Sequence, residues 1–488
     1  MPAARLPAWA RPKDMLDLTR LAVPVAISRA SFMLMSLTDA VLLGRYAPGE
    51  LPYVLNGWLP IGVLFGFGMG LMIGVQVLTA ELNGAGKGDD TGRIFRRGMA
   101  VALVYGVFAM GACIVIARPL LDLIGFDPAL AEATTNCTHI LAYGAIAHMG
   151  GLACQSYLEA LRKPNIATAI NMVAVGVNLA FGLILVPEHG AIGVVWATTG
   201  SRWFTLTCFL IAVVFLTPAL RKSSKAPAGE FRRQNMVGIG TGVANVAEWG
   251  SFNFTFVIAT LVSLDAGTVY GLTVQMMGVM FMIYVGMGTA TSVRVAERYG
   301  RGDMIGVREA SRLGVVASTL LGLVLALGLV LLRDVIAVTW LNGSEVASVG
   351  AHLVPLLSMM LAAVAFVTVF DGLQAVGSMA LRAQGVVWTA TAIHVGSYVL
   401  VMLPLCVWLA LSPETAPPST NALAALLFWP AHWPGAMGLG VWGVVIGISV
   451  ASVLAGMGQI VTLEIKSARG VRVGPPPEGA RAAVTVGH

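Results

Sequence analysis

Charged residues are scarce in this 488-residue chain, in which Asp, Glu, Lys and Arg together make up 11%, against about 25% in an ordinary soluble domain. Hydrophobic residues make up 57% and the mean hydropathy is +0.82. Too few polar side chains remain to coat a surface in water, which argues against soluble multidomain enzymes, disordered proteins and nucleic-acid binders. The apolar runs are long and continuous rather than alternating, so the sequence predicts an all-α integral membrane protein.

Several functional signatures are also missing. The five cysteines lie mostly inside apolar runs and form no C-x-x-C pair, which favours packing residues over a disulfide or metal framework. Residues 1–14 carry charges and prolines without a short apolar core, so we expect no signal peptide. No ATP-binding motif occurs, which argues against primary transport by this chain alone.

Twelve apolar runs are long enough to cross a bilayer, which takes about 20 residues of helix. Glycine and proline inside these runs do not contradict a helix, since both are commoner in membrane helices than in soluble ones. The predicted spans, numbered 1 to 12 in chain order, are 16–44, 51–80, 95–117, 130–158, 166–187, 190–217, 236–262, 267–293, 309–332, 347–378, 386–411 and 437–464.

The distribution of Lys and Arg between the loops sets the orientation. If both termini are cytoplasmic, 25 of the 30 Lys and Arg residues fall on the cytoplasmic side. A miscounted span would destroy this alternation. The pattern therefore predicts twelve spans with both termini in the cytoplasm.

The two halves of the chain resemble each other. The motif Ala80-Glu81-x-x-Gly84-x-Gly86 lines up with Ala296-Glu297-x-x-Gly300-x-Gly302 at an offset of 216 residues. Six helices per half insert in the same direction, so two lobes related by a pseudo-two-fold axis along the membrane normal should enclose a cavity. This divides the chain into a cytoplasmic segment 1–15, an N-lobe 16–220, a basic cytoplasmic linker 221–235, a C-lobe 236–464 and a cytoplasmic tail 465–488 that we expect to be disordered.

Three acidic residues lie inside predicted spans, where an ionised acid at the helix centre costs roughly 2.5–3.5 kcal/mol. Glu248 and Asp371 fall near mid-membrane, and Asp39 falls in the outer third of span 1. Such carboxyl groups can bind a proton, hold Na⁺ or pair with an organic cation, which is the minimum needed to exchange one for another. The alternative is that they only join helices through hydrogen bonds.

Other polar residues share helix faces with these acids, as residues three, four and seven positions apart do. Two arginines are also embedded: we expect Arg29 to meet a carboxylate of another span or a water-filled cavity, and no partner is evident for Arg202. The histidines show no metal-ligand spacing. The residues predicted to line a substrate cavity are Arg29, Ser36, Asn171, Asn245, Phe252, Thr255, Gln275, Thr368 and Gln374.

Four segments together resemble a known family. L-T-D-A-V-L-L-G at 37–44, E-L-N-G-A-G at 81–86, R-V-A-E-R-Y-G-R-G-D at 294–303 and F-D-G-L-Q at 370–374 are similar to patterns of the multidrug and toxic-compound extrusion (MATE) transporters, most of all the bacterial NorM-like branch. The resemblance extends over roughly residues 16–464.

The resemblance implies a V-shaped pair of six-helix lobes that alternate access in the bacterial inner membrane. Such a monomer would export organic cations and drug-like compounds in exchange for Na⁺ or H⁺, without a cofactor or a nucleic-acid partner. It also implies that Asp39 and Asn178 form one cation-responsive site, and that Glu248 and Asp371 couple to cations, Na⁺ included, in the other lobe. Arg29 departs from the family pattern, which usually has an uncharged residue there.

Two other functions stay open at this point. A flippase for a lipid-linked precursor, from the same superfamily, would need several cations in the cavity to hold phosphate. An intramembrane enzyme would need a nucleophile–base pair or a metal site, and the embedded residues show neither pattern.

Overall fold

The computed structural model describes residues 11–124, 127–342, 351–414, 416 and 426–469. These residues form helices and connecting loops without any strand, so the predicted all-α class is confirmed. Most of the predicted segment 1–15 lies within positions outside the described residues, and so does most of the tail 465–488.

Each of the twelve predicted spans overlaps a helical segment, and the first residues of predicted span 10, 347–350, lie outside the described residues. The helices are Pro12–Tyr46 (span 1), Leu51–Gly84 (span 2), Thr91–Ile124 (span 3), Pro128–Tyr143 with Ala145–Ala160 (span 4), Pro164–Leu216 (spans 5 and 6), Glu230–Val262 (span 7), Leu264–Arg301 (span 8), Met304–Asn342 (span 9), Val354–Ala383 (span 10), Val387–His394 with Val395–Met402 and Leu403–Ala410 (span 11), and Val441–Arg469 (span 12).

Among the described residues, nine helices are by themselves long and apolar enough to cross a membrane. One of the nine is the 53-residue helix Pro164–Leu216, which supplies two spans. Span 4 is divided at Gly144 into two pieces of 16 residues each, and span 7 carries the polar residues Thr241, Asn245 and Glu248 among its apolar ones. These two complete the predicted twelve.

Spans 5 and 6 form a hairpin that turns at Gly190. The φ of Gly190 is +52° and its ψ is −127°, a conformation that residues with a Cβ rarely adopt. A Cβ at Gly193 would overlap the backbone of Leu185, so the chain folds back closely on itself. Glu50 accepts a hydrogen bond from the Ala191 amide at 2.7 Å, which satisfies one of the free N–H groups at the start of span 6.

The buried side chains form three clusters. The first contains N-lobe residues such as Leu43 and Ile61 and continues into the C-lobe through residues such as Val293 and Leu381. The second lies within the C-lobe and includes Tyr270. The third cluster joins the first half of span 1 to spans 8, 9 and 10; it contains Leu18, Leu21, Ala22, Met287, Ala290, Leu313, Ala317 and Val376.

The two sequence repeats meet at the interface between the lobes. A Cβ at Gly84 would overlap the backbone of Glu297, and a Cβ at Gly300 would overlap the backbone of Glu81, so spans 2 and 8 touch through glycine in both directions. Gly86 and Gly302 both have positive φ, +75° and +78°. The repeat predicted from the sequence is therefore a structural repeat at these turns.

Ion pairs close the same end of the interface. Arg162 of the N-lobe contacts Glu297 of the C-lobe at 2.6 Å, and Arg233, at the start of the helix that forms span 7, contacts Glu81 of the N-lobe at 2.7 Å. The lobes are thus held together at the end where span 2 stops. Toward the opposite end they leave a cavity between them.

Candidate functional site

A cavity of about 670 Å³ lies between the lobes and brings all three embedded acids to one wall surface. Asp39 contributes from the N-lobe, and Glu248 and Asp371 contribute from the C-lobe. All three side chains are largely buried, with relative exposures of 9%, 7% and 6%. The volume is that of a site for one drug-sized molecule.

In the N-lobe, Asp39 belongs to a hydrogen-bonded group that joins spans 1, 5 and 6. The Thr198 hydroxyl donates to Asp39 Oδ2 at 2.6 Å, while Asp39 Oδ1 is buried with no hydrogen-bond partner among the described residues. Asn178 accepts from Thr38 at 3.2 Å and donates to Thr198 at 3.5 Å. The structure therefore brings Asp39 and Asn178 together through Thr198, a residue that the sequence did not single out.

Arg29 pairs with a carboxylate of another helix, which is one of the two environments expected for it from the sequence. Its Nη2 lies 3.0 Å from Glu159 Oε2, and both side chains are buried. Gln155 donates to the other oxygen of Glu159 at 2.7 Å, and Asn171 donates to Ser28 nearby at 2.7 Å. Glu159 escaped notice because predicted span 4 stops at residue 158, one position before it.

In the C-lobe, Glu248 is held by residues of spans 10 and 11. Gln374 donates to Glu248 Oε1 at 2.6 Å, and His394 Nε2 lies 3.7 Å from Glu248 Oε2. Gln459 of span 12 contacts the other ring nitrogen of His394 at 2.9 Å. These contacts bury the His394 ring between spans 11 and 12 and place it beside the Glu248 carboxylate.

Asp371, the second C-lobe acid, has an oxygen to which no described residue donates, and so does Gln374 one helical turn later. Asp371 Oδ1 and Gln374 Oε1 are buried and have no hydrogen-bond partner among the described residues. Asp371 is close enough to Glu248 for its charge to act on that carboxyl group, and the Ser452 hydroxyl lies beside Asp371. Several oxygens with free lone pairs near two carboxylates are what a small hard cation prefers as ligands.

The predicted cavity residues divide into two groups. Arg29, Ser36, Asn171, Phe252 and Gln275 lie on the cavity wall. The other four lie behind or beside it. Asn245 donates to the Gly66 carbonyl across the lobe interface at 3.0 Å, Thr255 meets the Tyr270 hydroxyl at 2.6 Å, Thr368 donates to the Ala365 carbonyl, and Gln374 supports Glu248. Polar residues that share one face of a helix therefore contact different neighbours. Which of them line the cavity depends on how the spans pack together.

Aromatic side chains complete the wall of the N-lobe half. Trp58 and Phe65 of span 2 line the cavity beside His148, and the rings of Phe65 and His148 stack with their centroids 4.4 Å apart. Phe32 contacts Trp58 edge-on at 5.8 Å. Flat apolar surfaces of this kind suit planar, delocalised ligands.

Residues 24–184 and 241–408 match the family described as MatE. The chain is 31% identical over 409 residues to the probable multidrug resistance protein NorM of Caulobacter vibrioides, covering 82% of this chain and 85% of that protein. It is 26% identical to the multidrug resistance protein MdtK of Yersinia enterocolitica, covering 90% and 93%.

A solved structure shares the fold at lower identity. The crystal structure of the eukaryotic MATE transporter AtDTX14 superposes with a TM-score of 0.77 at 17% identity, covering 93% of this chain and 97% of that one. Its agreement confirms the predicted arrangement of twelve helices in two lobes. The predicted likeness to the NorM-like branch is confirmed by the sequence matches, and the chain belongs to the MatE family of multidrug and toxic-compound extrusion transporters.

Proposed function

We propose that this protein is a secondary antiporter that exports organic cations and drug-like compounds in exchange for Na⁺ or H⁺ across the bacterial inner membrane. The observation that carries the proposal is the presence of Asp39, Glu248 and Asp371 on the wall of one cavity between two lobes. Buried carboxyl groups that reach an aqueous cavity are typical of ion and substrate pathways. We propose that the transporter works as a monomer in the bilayer without a resident cofactor.

The exchange depends on one set of carboxyl groups serving both ligands. An ionised Glu248 or Asp371 can pair with a cationic compound, whereas the same group cannot hold it once it has bound a proton. Na⁺ would compete in the same way by recruiting the free oxygens of Asp371 and Gln374. Loading the coupling ion therefore releases cargo, which is the condition for strict exchange.

Alternating access follows from the arrangement of the lobes. Contacts between them concentrate at the end bearing Arg162–Glu297 and Arg233–Glu81, and the cavity lies toward the other end. Because this closed end carries the cation-rich loops, we propose that it faces the cytoplasm and that the cavity faces outward. Breaking the closed end while joining the open one would expose the same carboxyl groups to the cytoplasm.

Purified protein in liposomes tests the proposal when Na⁺ and pH gradients are imposed separately. We expect efflux of a fluorescent organic cation to follow at least one gradient and to stop when that gradient is collapsed by an ionophore. Efflux that ignores both gradients would contradict antiport.

The N-lobe acid makes a narrower prediction. We expect Asp39→Asn to block efflux driven by a pH gradient, because the amide cannot take up the proton that the carboxylate would bind. Thr38→Val, which removes the donor to Asn178 but leaves the acid, is the matched control and should retain transport. Unchanged pH-driven transport by Asp39→Asn in liposomes would remove this residue from the coupling mechanism.

The flippase alternative is less well supported by the cavity. A phosphate-bearing lipid would require several free cations, and the described wall offers only Arg29 and Arg202. Arg29 is already neutralised by Glu159 at 3.0 Å. One remaining arginine among three acids favours a cavity for cations.

A further inference from the structure

A groove of about 620 Å³ lies on the outer face of the protein and shares no lining residue with the cavity between the lobes. Val104 and Phe108 on its wall are 72% and 60% exposed, so the groove opens toward lipid. Among the described residues that line it, Arg97 alone carries a charge. The larger apolar side chains of the wall are Leu71 of span 2, Val101, Val104, Tyr105 and Phe108 of span 3, and Phe231 at the start of the helix that forms span 7.

The groove lies along the seam where spans 2 and 3 meet span 7. A Cβ at Gly238 of span 7 would overlap the carbonyl oxygen of Leu71, and a Cβ at Gly70 would overlap the backbone of Gly242, so spans 2 and 7 approach closely behind the groove. The Tyr105 hydroxyl donates to the Leu64 carbonyl at 2.8 Å, which turns its polar end into the protein and leaves its ring on the wall. The groove is therefore a closed apolar channel with walls from both lobes.

The length of the groove matches one leaflet of a bilayer. From Arg97 to Phe108 the wall follows 11 residues of span 3, which is about 16 Å at the rise of an α-helix. The hydrocarbon core of a bilayer is about 30 Å thick. The groove thus extends from the headgroup level at the closed end of the lobe interface to the middle of the membrane, as one acyl chain does.

The charged end of the groove is already supplied with one shared acid. Arg97 Nη1 lies 3.0 Å from Glu230 Oε2, but Arg93 donates to both oxygens of the same carboxylate, at 2.7 Å and 2.8 Å. The Arg97 side chain is 36% exposed, and its guanidinium carbon lies 5.9 Å from the centre of the Phe231 ring. One acid between two arginines leaves Arg97 able to bind a further anion.

Two more arginines beside this end have no acidic partner among the residues that the structure describes. Arg96 donates to the carbonyls of Ala219 and Arg221 and to the Ser223 hydroxyl, so its hydrogen bonds are satisfied while its charge is not neutralised. Arg232, next to Phe231, is exposed. Two positive charges are therefore in excess over the acids, counting Arg93, Arg96, Arg97 and Arg232 against Asp90 and Glu230.

We propose that this groove binds one anionic phospholipid of the leaflet at the closed end of the lobe interface. An acyl chain lies along Val101, Val104 and Phe108, and the headgroup phosphate accepts hydrogen bonds from Arg97, with Arg96 and Arg232 adding to the attraction. Basic pockets between membrane helices are suited to such headgroups, and phosphate is a strong acceptor from arginine. The lipid is thereby a ligand of the seam between the lobes, and it binds whichever ion drives transport.

Native mass spectrometry of the purified full-length protein tests this assignment with phosphatidylglycerol and phosphatidylcholine that carry the same acyl chains. The dissociation constant of the first bound lipid is measured for each. We expect the wild-type protein to bind phosphatidylglycerol at least about fivefold more tightly, the effect of one arginine near the membrane surface, and Arg97→Gln to remove most of this preference. Equal affinity of the wild-type protein for the two lipids would overturn the proposal.

Two further variants separate the groove from its charge. Val104→Trp fills the groove at an exposed position and should weaken the binding of both lipids. Arg118→Gln is the matched control, because Arg118 is also on the helix of span 3, pairs with Asp122 at 2.9 Å and is 42% exposed, but lies at the opposite end; it should change neither constant.

Undiminished binding of phosphatidylglycerol by Val104→Trp, or an equal loss in Arg118→Gln and Arg97→Gln, would overturn the proposal. A dimer in the same spectra that disappears in Val104→Trp would overturn it in favour of a second copy of this chain in the groove. Because lipid binding is measured without an ion gradient, each of these outcomes leaves the antiport proposal standing.

Discussion

At the scale of single residues, the two C-lobe acids combine burial with a place on the cavity wall, as Asp39 does in the N-lobe. Glu248 is anchored by Gln374 and faces His394, whereas Asp371 keeps one oxygen free. This combination of one supported and one unsatisfied carboxyl group is consistent with reversible cation binding. If the two acids only joined helices through hydrogen bonds, both carboxyl groups would have all their oxygens hydrogen-bonded to fixed donors.

We predict that Glu248→Gln or Asp371→Asn reduces efflux to the level of cells without the transporter, because neither amide can bind a proton or neutralise a cation. The measurement is dye efflux from expressing cells, with protein amount and monodispersity checked on the purified variants. Asp265→Asn, at an exposed acid that meets His352 at 3.1 Å, is the control and should transport normally. Wild-type resistance to toxic cations in either cavity variant would remove that acid from the mechanism.

The buried pair Arg29–Glu159 predicts a large effect on stability. Glu159→Gln leaves the Arg29 charge without its partner, which costs about 3–5 kcal/mol in comparable buried pairs. Thermal unfolding of the purified protein should show a clear drop in melting temperature. The control is Arg221→Gln, which breaks the ion pair between Arg221 and Asp89, two side chains that are 70% and 71% exposed. It should leave the melting temperature nearly unchanged, because exposed ion pairs contribute about 0–1 kcal/mol. Equal shifts in the two variants would show that Arg29 does not depend on Glu159.

At the scale of elements, the turn at Gly190 decides whether residues 164–216 cross the membrane once or twice. Gly190→Val is expected to destabilise the protein by about 1–3 kcal/mol, because the positive φ is strained for a β-branched residue and the side chain would collide with the Glu50 carboxylate. Unfolding of the purified protein in increasing concentrations of a denaturing detergent measures the change in stability. Gly176→Ala in span 5 meets nothing within 4 Å and should be neutral or slightly stabilising, because alanine favours a helix more than glycine does. A similar loss of stability there would show that the effect is not specific to the turn.

At the scale of the whole molecule, the reciprocal glycine contacts make the closed end of the interface intolerant of bulk. Spans 2 and 8 approach through Gly84 and Gly300, each of which meets backbone of the other lobe. We predict that Gly84→Leu holds the lobes apart at this end. Spin labels at Asp89→Cys and Ile305→Cys, both exposed in the native chain, should report a longer mean distance than without the leucine.

The matched control is Gly111→Leu on span 3, where an added side chain would meet nothing within 4 Å. It should leave the distance distribution and the transport rate unchanged. An unaltered distance in Gly84→Leu would mean that the lobe contact is not limited by these glycines. Transport by Gly84→Leu at the wild-type rate would show that alternating access does not require the close contact between spans 2 and 8.

The sequence by itself determined the number of spans, the predicted sides of the loops and the presence of the embedded acids. These features depend on one-dimensional properties of the chain, because lipid excludes unpaired backbone groups and charges from any stretch of about 20 residues. Glu248 and Asp371 were evident for the same reason, since a charge stands out against a hydrocarbon-length apolar run. The motifs that repeat at Glu81 and Glu297 were evident because a duplicated lobe repeats its turns.

Only the tertiary structure decided which side chains share the cavity. Glu159 meets Arg29 across 130 positions and Thr198 meets Asp39 across 159, and neither separation leaves a periodic signal in the chain. Asn245 shares a face with Glu248 yet bonds to Gly66 of the other lobe. Such contacts depend on how each helix is rotated and how closely glycines let the spans approach. Those quantities arise from packing all twelve helices together, and no single span carries them.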